Sequence, residues 1–174
     1  MQIENIKHHL DAIDTLSEAQ FELWGPLTGR NTLAEYRELL HFAAESESLP
    51  TTLVAVENTT VLGSVNVLEN DLPLRPDIAP WLAQLFVFPD FRRRGAGAFL
   101  VAGAIAEARK LNNTILYLYT SGTLPNYYEK LGWSRMEEIA YLGKRRVIMA
   151  YPIHDIKKSL PTHPPRVIQK PFGR

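Results

Sequence analysis

The string P-D-F-R-R-R-G-A-G-A-F-L at 89 to 100 carries the clearest chemistry in the chain. It follows W-L-A-Q-L-F-V-F at 81 to 88, an almost continuously apolar run that reads as a strand covered on both faces. Gly95 and Gly97 lack Cβ atoms where a backbone must bend tightly and approach a ligand. A helix starting there presents unpaired N–H groups and the positive end of its dipole. Arg92, Arg93 and Arg94 add charge, although three side chains cannot all point at one ligand. The segment therefore suits an anion such as a diphosphate. Taken alone, it would equally serve as a strand-to-helix turn in which glycine only relieves crowding. Two specific phosphate sites are excluded. No G-x-x-x-x-G-K-[ST] string occurs, and a G-x-G-x-x-G fingerprint fails at Leu100. The following strand, ending Tyr117-Leu118-Tyr119-Thr120, also lacks the acid that fingerprint needs.

Composition removes other classes. The 174 residues fit one domain with a core large enough to need no staples. Lys plus Arg and Asp plus Glu each number 19, so the global basic field expected of a nucleic-acid binder is absent. There is no cysteine, hence no disulfide, thiolate metal site or cysteine nucleophile. The histidines at 8, 9, 41, 154 and 163 show no metal spacing, so no metal is expected. The first residues lack a signal-peptide pattern, and no apolar run reaches membrane length; a cytoplasmic protein is expected.

The elements that must position the glycine turn follow from periodicity. Residues 2 to 7 suggest an edge strand, and 9 to 27 a helix closed by Gly25-Pro26. Thr32 and Glu35 form a capping box opening a second helix over 33 to 46. Strands are expected at 51 to 57 and 61 to 68, joined by E-N-T-T, with a proline-rich loop over 71 to 80. After strand 81 to 88 come a helix over 95 to 111, a strand at 115 to 119 and a short helix over 124 to 131. Thr123 would cap that helix, with Pro125 in its first turn. Strands 133 to 141 and 146 to 153 close the fold through Gly143-Lys144. The order β-α-α-β-β-β-α-β-α-β-β places the chain in the α/β (α+β) class, one domain over 1 to 153 with a mixed central sheet flanked by helices. Residues 154 to 174 form a basic, proline-containing tail.

The string L-F-V-F-P-D-F-R-R-R-G-A-G-A-F-L resembles the central motif of the GNAT superfamily of N-acetyltransferases, [QR]-x-x-G-x-[GA]. Arg92, Gly95 and Gly97 fill its fixed places. Thirty or so residues on, N-Y-Y-E-K-L-G-W resembles the superfamily's closing Y-x-x-x-G-[FW], at Tyr128, Gly132 and Trp133. The element order is similar too, and the resemblance spans about residues 1 to 153.

That resemblance implies a V-shaped gap between strands 81 to 88 and 115 to 119, holding acetyl-CoA as cosubstrate. Its pantetheine arm would pair with the backbone of Leu85, Phe86 and Val87. Arg92 belongs to the motif, and Arg93, Arg94, Gly95, Ala96, Gly97 and Ala98 would offer backbone N–H groups to the pyrophosphate. An N–H near Val87 would polarise the thioester carbonyl. Tyr128 would give the departing thiolate its proton, although neighbouring Tyr127 is of the same type. Ser121 stands where relatives often carry an asparagine that contacts the cofactor. The region from Gly25 to Thr32, just after Trp24, would shape the acceptor pocket.

The acceptor would be a small-molecule or peptide amine, with no membrane, no nucleic acid expected, and a homodimer possible as in similar proteins. A lysine-like amine is neutral only about once in a few thousand molecules at pH 7, a handicap of about 4.6 kcal/mol that a base or a dry site must offset. Relatives often carry a glutamate on one of the splayed strands. Here the first offers only Gln84 and the second no acid, which leaves Glu69, Asp71 and Asp77 near the loop, or a water. The missing glutamate also keeps open a CoA-holding module, catalytically weak or inactive, that senses acyl-CoA or recruits a partner.

Overall fold

The computed structural model describes residues 1–26 and 32–153. The expected basic tail and most of the loop after Trp24 lie outside them. Seven strands form one mixed sheet: β1 (Gln2–Asn5), β2 (Thr51–Glu57), β3 (Thr60–Leu68), β4 (Trp81–Val87), β5 (Ile115–Ser121), β6 (Ser134–Tyr141) and β7 (Lys144–Pro152). Their spatial order is β1-β2-β3-β4-β5-β7-β6, so β1 is an edge strand as its weak alternation suggests. Every neighbouring pair is antiparallel except β4 with β5. The helices are α1 (Ile13–Trp24), α2 (Leu33–Glu45), α3 (Ala96–Lys110) and α4 (Pro125–Glu129). Class and element order are those the sequence predicts.

Several boundaries shift by a residue or two, and three departures have a clear local reason. The first α-helix starts at Ile13 rather than at 9, because two single 3-10 turns, Ile6–His8 and Leu10–Ala12, come first. Asn5 caps the earlier turn by accepting from the Lys7 N–H at 2.9 Å, and His9 breaks the path with φ −138°. The short helix has Leu124 at its N-cap and no side-chain cap, so Thr123 does not cap it. The Thr123 hydroxyl instead shares a 2.9 Å hydrogen bond with Ser121. In the last hairpin Tyr141 pairs with Lys144, so the turn residues are Leu142 and Gly143, both at positive φ. The capping box of α2 forms as predicted, with Thr32 Oγ1 accepting from the Glu35 N–H at 3.3 Å and Glu35 accepting from the Thr32 N–H at 3.1 Å.

The sheet separates the core into two faces. On one, Leu53, Ala55, Val65, Val67 and Leu82 pack against Leu100, Val101, Ala104 and Ala108 of α3, and Tyr128 of α4 joins them. On the other, Val54, Val56 and Phe86 lie under Ile13 and Leu16 of α1 and Leu40 of α2. The far half of this second face carries Leu72, Trp81 and Ile148 with Tyr117, Tyr119 and Tyr141.

β4 crosses between these faces by means of a bulge. Ala83 pairs with Asn66 and Phe86 with Ser64, so three steps on β4 oppose two on β3. The extra residue is taken up where Gln84 adopts φ +50°. Strict alternation would put Phe86 on the Leu82 side; the bulge turns it to the α1 and α2 side instead. Gly63 permits this close approach of β3.

Candidate active site

β4 and β5 pair at one register position only, Trp81 with Tyr117, anchored by the Tyr117 N–H donating to Pro80 O at 3.0 Å. Past it β4 keeps its bonds to β3, and β5 pairs along its whole length with β7. The two parallel strands therefore splay. A cleft of about 340 Å³ opens between them, walled by Leu82 and Leu85 on one strand and Leu118 and Ser121 on the other, with Tyr128 facing in. The backbone edge of β4 that turns toward β5 is left without a strand partner beyond Trp81. That edge is what an extended ligand chain would pair with.

One end of β4 leads into the glycine turn. Pro89–Phe91 is a single 3-10 turn, Arg93 lies at φ +62°, and Gly95 occupies the N-cap of α3 at φ +85°. Only glycine takes that conformation freely, and no side chain caps the helix. The Phe99 N–H donates to Gly95 O at 3.0 Å, so the amides of Ala96, Gly97 and Ala98 precede the first helical bond and point out of the helix end. The arginines divide. Arg92 Nε donates to Val87 O at 2.9 Å and ties the turn to the end of β4, while Arg94 lies over the Phe91 ring at 5.8 Å. All three are exposed.

The spacing Y-x-x-x-G-W has a backbone cause. The Tyr128 carbonyl accepts both the Leu131 N–H at 2.9 Å and the Trp133 N–H at 3.1 Å, a closure that needs Gly132 at φ +90°. A Cβ at Gly132 would also come within 3.2 Å of the Tyr151 ring. Tyr128 is thereby held edge-on to Trp133 and buried, and burial raises its phenol well above the ordinary tyrosine value. It presents an O–H, not a phenolate, throughout the neutral range. Tyr127 packs edge-on against it with ring centroids 5.1 Å apart but points elsewhere: the residue is 39% exposed, and its hydroxyl is 3.0 Å from where a Cβ on Gly97 would stand. Tyr128 thus faces the cleft, and Tyr127 abuts the first turn of α3.

The opposite side of the same gap is lined by Trp24, Asp71, Gln84, Tyr119 and Arg146. Of the three candidate bases only half-buried Asp71 reaches it. Glu69 is exposed, and Asp77 is exposed and engaged by Arg75 at 2.8 and 2.9 Å, which holds its carboxyl below the usual range. Burial is the main cause raising Tyr119, reinforced by the Asp71 charge and opposed by Arg146. Trp24 packs edge-on against Phe86, whereas Trp81 and Trp133 are buried in the core. Sequence reasoning missed Gly63 and Arg146; the second sits in a strand alternation, R-V-I-M, that could have placed it on the face opposite Val147. Among the described residues no three metal-ligating side chains cluster, and no helix is long and apolar enough to cross a membrane.

Residues 11–133 match the family model described as the Acetyltransferase (GNAT) family. No curated protein sequence matches the chain. Solved structures share its fold at low identity. An aminoglycoside 6'-N-acetyltransferase complexed with coenzyme A is 18% identical with a TM-score of 0.70, covering 89% of this chain and 98% of its own. The aminoglycoside 6'-N-acetyltransferase from Enterococcus faecium is 18% identical at TM-score 0.67, with 89% and 98% covered. A GNAT-family acetyltransferase from Streptococcus pneumoniae is 20% identical at TM-score 0.65, with 88% and 99% covered.

Proposed function

This chain belongs to the GNAT acetyltransferase family, and we propose that it moves the acetyl group of acetyl-CoA to a primary amine by direct attack within a ternary complex. The observation that carries this reading is the single β4–β5 pairing at Trp81 and Tyr117, which leaves a cleft with a buried tyrosine in its wall, while β4 runs on toward the uncapped start of α3. In this reading the pyrophosphate of the thioester cosubstrate meets Ala96, Gly97 and Ala98, and its arm runs along Leu85, Phe86 and Val87. That the similar aminoglycoside 6'-N-acetyltransferase was solved with coenzyme A supports the same assignment.

In this reading the amine nitrogen bonds to the thioester carbon, the carbon–sulfur bond breaks, and the sulfur takes a proton from Tyr128. Desolvation makes the phenol a weak acid, but it raises the basicity of a thiolate in the same cleft as well, so the transfer stays feasible. The amine's own proton leaves to Asp71 or through a water. No covalent enzyme intermediate is needed, and none is offered by cysteine, which is absent.

The test is acetyl-CoA titration by calorimetry, followed by thiol release against a panel of amines. We expect binding and amine-dependent release of CoA. Binding without turnover of any amine would favour the CoA-holding module; no binding would overturn both readings.

A further inference from the structure

Resting on that reading of the cleft, we infer that the acceptor amine carries a carboxylate or a similar anionic group, which Arg146 and Gln84 receive. The argument starts from faces. Cross-strand pairing places Arg146 opposite Ser121 and Ile148 opposite Tyr119, on the side of the sheet away from Val147 and Met149. This is the α1 and α2 side. Tyr128 and α3 belong to the other side, so the cofactor anchor and Arg146 address the gap from opposite faces. Ser121 shares the Arg146 face, so the assignment of this anion to the acceptor rests on the position of Tyr128 and α3, with the cofactor as the alternative that the experiment must exclude.

Two donors on that face lack a partner although buried. Arg146 Nε has no hydrogen-bond acceptor, and neither does Gln84 Nε2, while both residues line the cleft. The Gln84 side chain is fixed in place: Thr52 Oγ1 donates to Asn66 Oδ1 at 2.8 Å, and Asn66 Nδ2 donates to Gln84 Oε1 at 2.6 Å. That chain engages the amide oxygen, which fixes the orientation of the amide and leaves its N–H₂ for a ligand. A guanidinium and an amide N–H₂ can only donate. A ligand that satisfies both must accept two hydrogen bonds there, and the guanidinium charge favours a carboxylate over a neutral acceptor.

Three arginines away from the cleft show the contrast, although Arg109 Nε on α3 is also without an acceptor. Arg75, Arg135 and Arg145 each have a carboxylate partner, through Asp77, Glu129 and Glu138. Among the described residues Arg146 has no such partner, and its β7 neighbour Arg145 takes the nearby acid Glu138. Burying a polar group unpaired costs free energy that a bound anion would recover. Arg146 would disfavour a polycationic acceptor while Asp71 on the same wall faces the amine, so the inference calls for an acceptor unlike that named for the aminoglycoside acetyltransferases of similar fold.

The experiment compares matched amines with acetyl-CoA: free α-amino acids, the methyl esters of the same amino acids, and one aminoglycoside. For the wild type we expect kcat/KM for the free acids to exceed that for the esters by tenfold or more, and negligible aminoglycoside turnover. Arg146→Met should collapse the acid-to-ester ratio by tenfold or more, mainly through KM, and Arg146→Lys should restore part of it. Equal or better use of esters or aminoglycoside, or a ratio indifferent to Arg146→Met, overturns the inference while leaving acetyl transfer intact. Loss of acetyl-CoA affinity in Arg146→Met with an unchanged ratio also overturns it, since the anion would then be the cofactor's. Failure to acetylate any panel member despite acetyl-CoA binding overturns it as well. Failure to bind acetyl-CoA overturns the underlying functional reading.

Discussion

Gly63 and Phe86 lie so close across β3 and β4 that a Cβ on the glycine would meet the Phe86 carbonyl oxygen at 2.2 Å and the Val87 Cα at 2.8 Å. Both obstacles are backbone, so neither can swing aside. Gly63→Ala should cost about 1–3 kcal/mol by overpacking. In a chain of this size that lowers Tm by roughly 2–10 °C. Because the displaced backbone is the one expected to pair with pantetheine, acetyl-CoA affinity should fall too. Calorimetric melting and titration of the variant check both effects; an unaltered Tm would mean the bulge is not fixed by this contact.

Tyr128 and Tyr127 are adjacent in sequence and their rings touch edge-on, but their hydroxyls have different surroundings: Tyr128 lines the cleft, and the Tyr127 hydroxyl lies against the start of α3. Tyr128→Phe should lower kcat by about a hundredfold, within the usual range for removing a general acid. Its acetyl-CoA dissociation constant should change by less than about twofold, a shift too small to mark a lost contact. Tyr127→Phe should leave kcat near wild type. Steady-state kinetics with a saturating amine decide the assignment, and equal losses in both variants would remove it.

Much of this arrangement can be read from the residues alone. Thr32 and Glu35 announce a helix start because their chemistry is local, and Gly95 and Gly132 mark positive φ because few other residues tolerate it. The bulge at Gln84 is silent, because W-L-A-Q-L-F-V-F is apolar on both faces and shows no alternation for an extra residue to interrupt. Gly63 looks like an ordinary strand glycine until β3 and β4 are brought together. Arg146 could be placed on the face opposite Val147 from the strand alternation, but the β5–β7 register is needed to bring it to the cleft. Thr123 is misleading for a simpler reason: its hydroxyl finds Ser121 before it finds the helix.

The two glycines of the turn should fail differently when substituted. At Gly95 a Cβ would meet nothing within 4 Å, but φ +85° strains any L side chain, so Gly95→Ala should lose about 1 kcal/mol of stability. Gly97 lies at ordinary φ, and the Cβ of Gly97→Ala would press on the Tyr127 hydroxyl at 3.0 Å. The second change should weaken acetyl-CoA by about tenfold, equivalent to about 1.4 kcal/mol. Adding Tyr127→Phe should recover part of that loss. Chemical denaturation and calorimetry separate the two; no recovery in the double variant would dissociate Tyr127 from the helix end.

Buried tyrosines set an alkaline limit. Tyr119, Tyr127 and Tyr128 all titrate above the ordinary phenol, with burial the leading cause in each. The folded chain therefore retains protons that the unfolded chain releases above about pH 10. Since stability falls with pH wherever the folded state holds more protons, the contribution is complete below pH 10 and is lost as pH rises from there toward the raised folded values. Tm from these groups should be flat through neutrality and fall above pH 10, with a shallower fall in Tyr128→Phe. An identical slope in that variant would show that Tyr128 does not contribute.

Direct transfer in the splayed β4–β5 cleft is the claim on which the rest depends, and a single-turnover experiment tests it most directly. Enzyme in excess over acetyl-CoA is mixed with a turned-over amine and quenched, and the intact masses of amine and protein are read together. The account predicts one acetyl group on the amine nitrogen for each CoA released, with the protein unmodified at every time point. An acetylated protein that forms and decays on the path to product would contradict it, as would CoA release with no acetyl group on the amine.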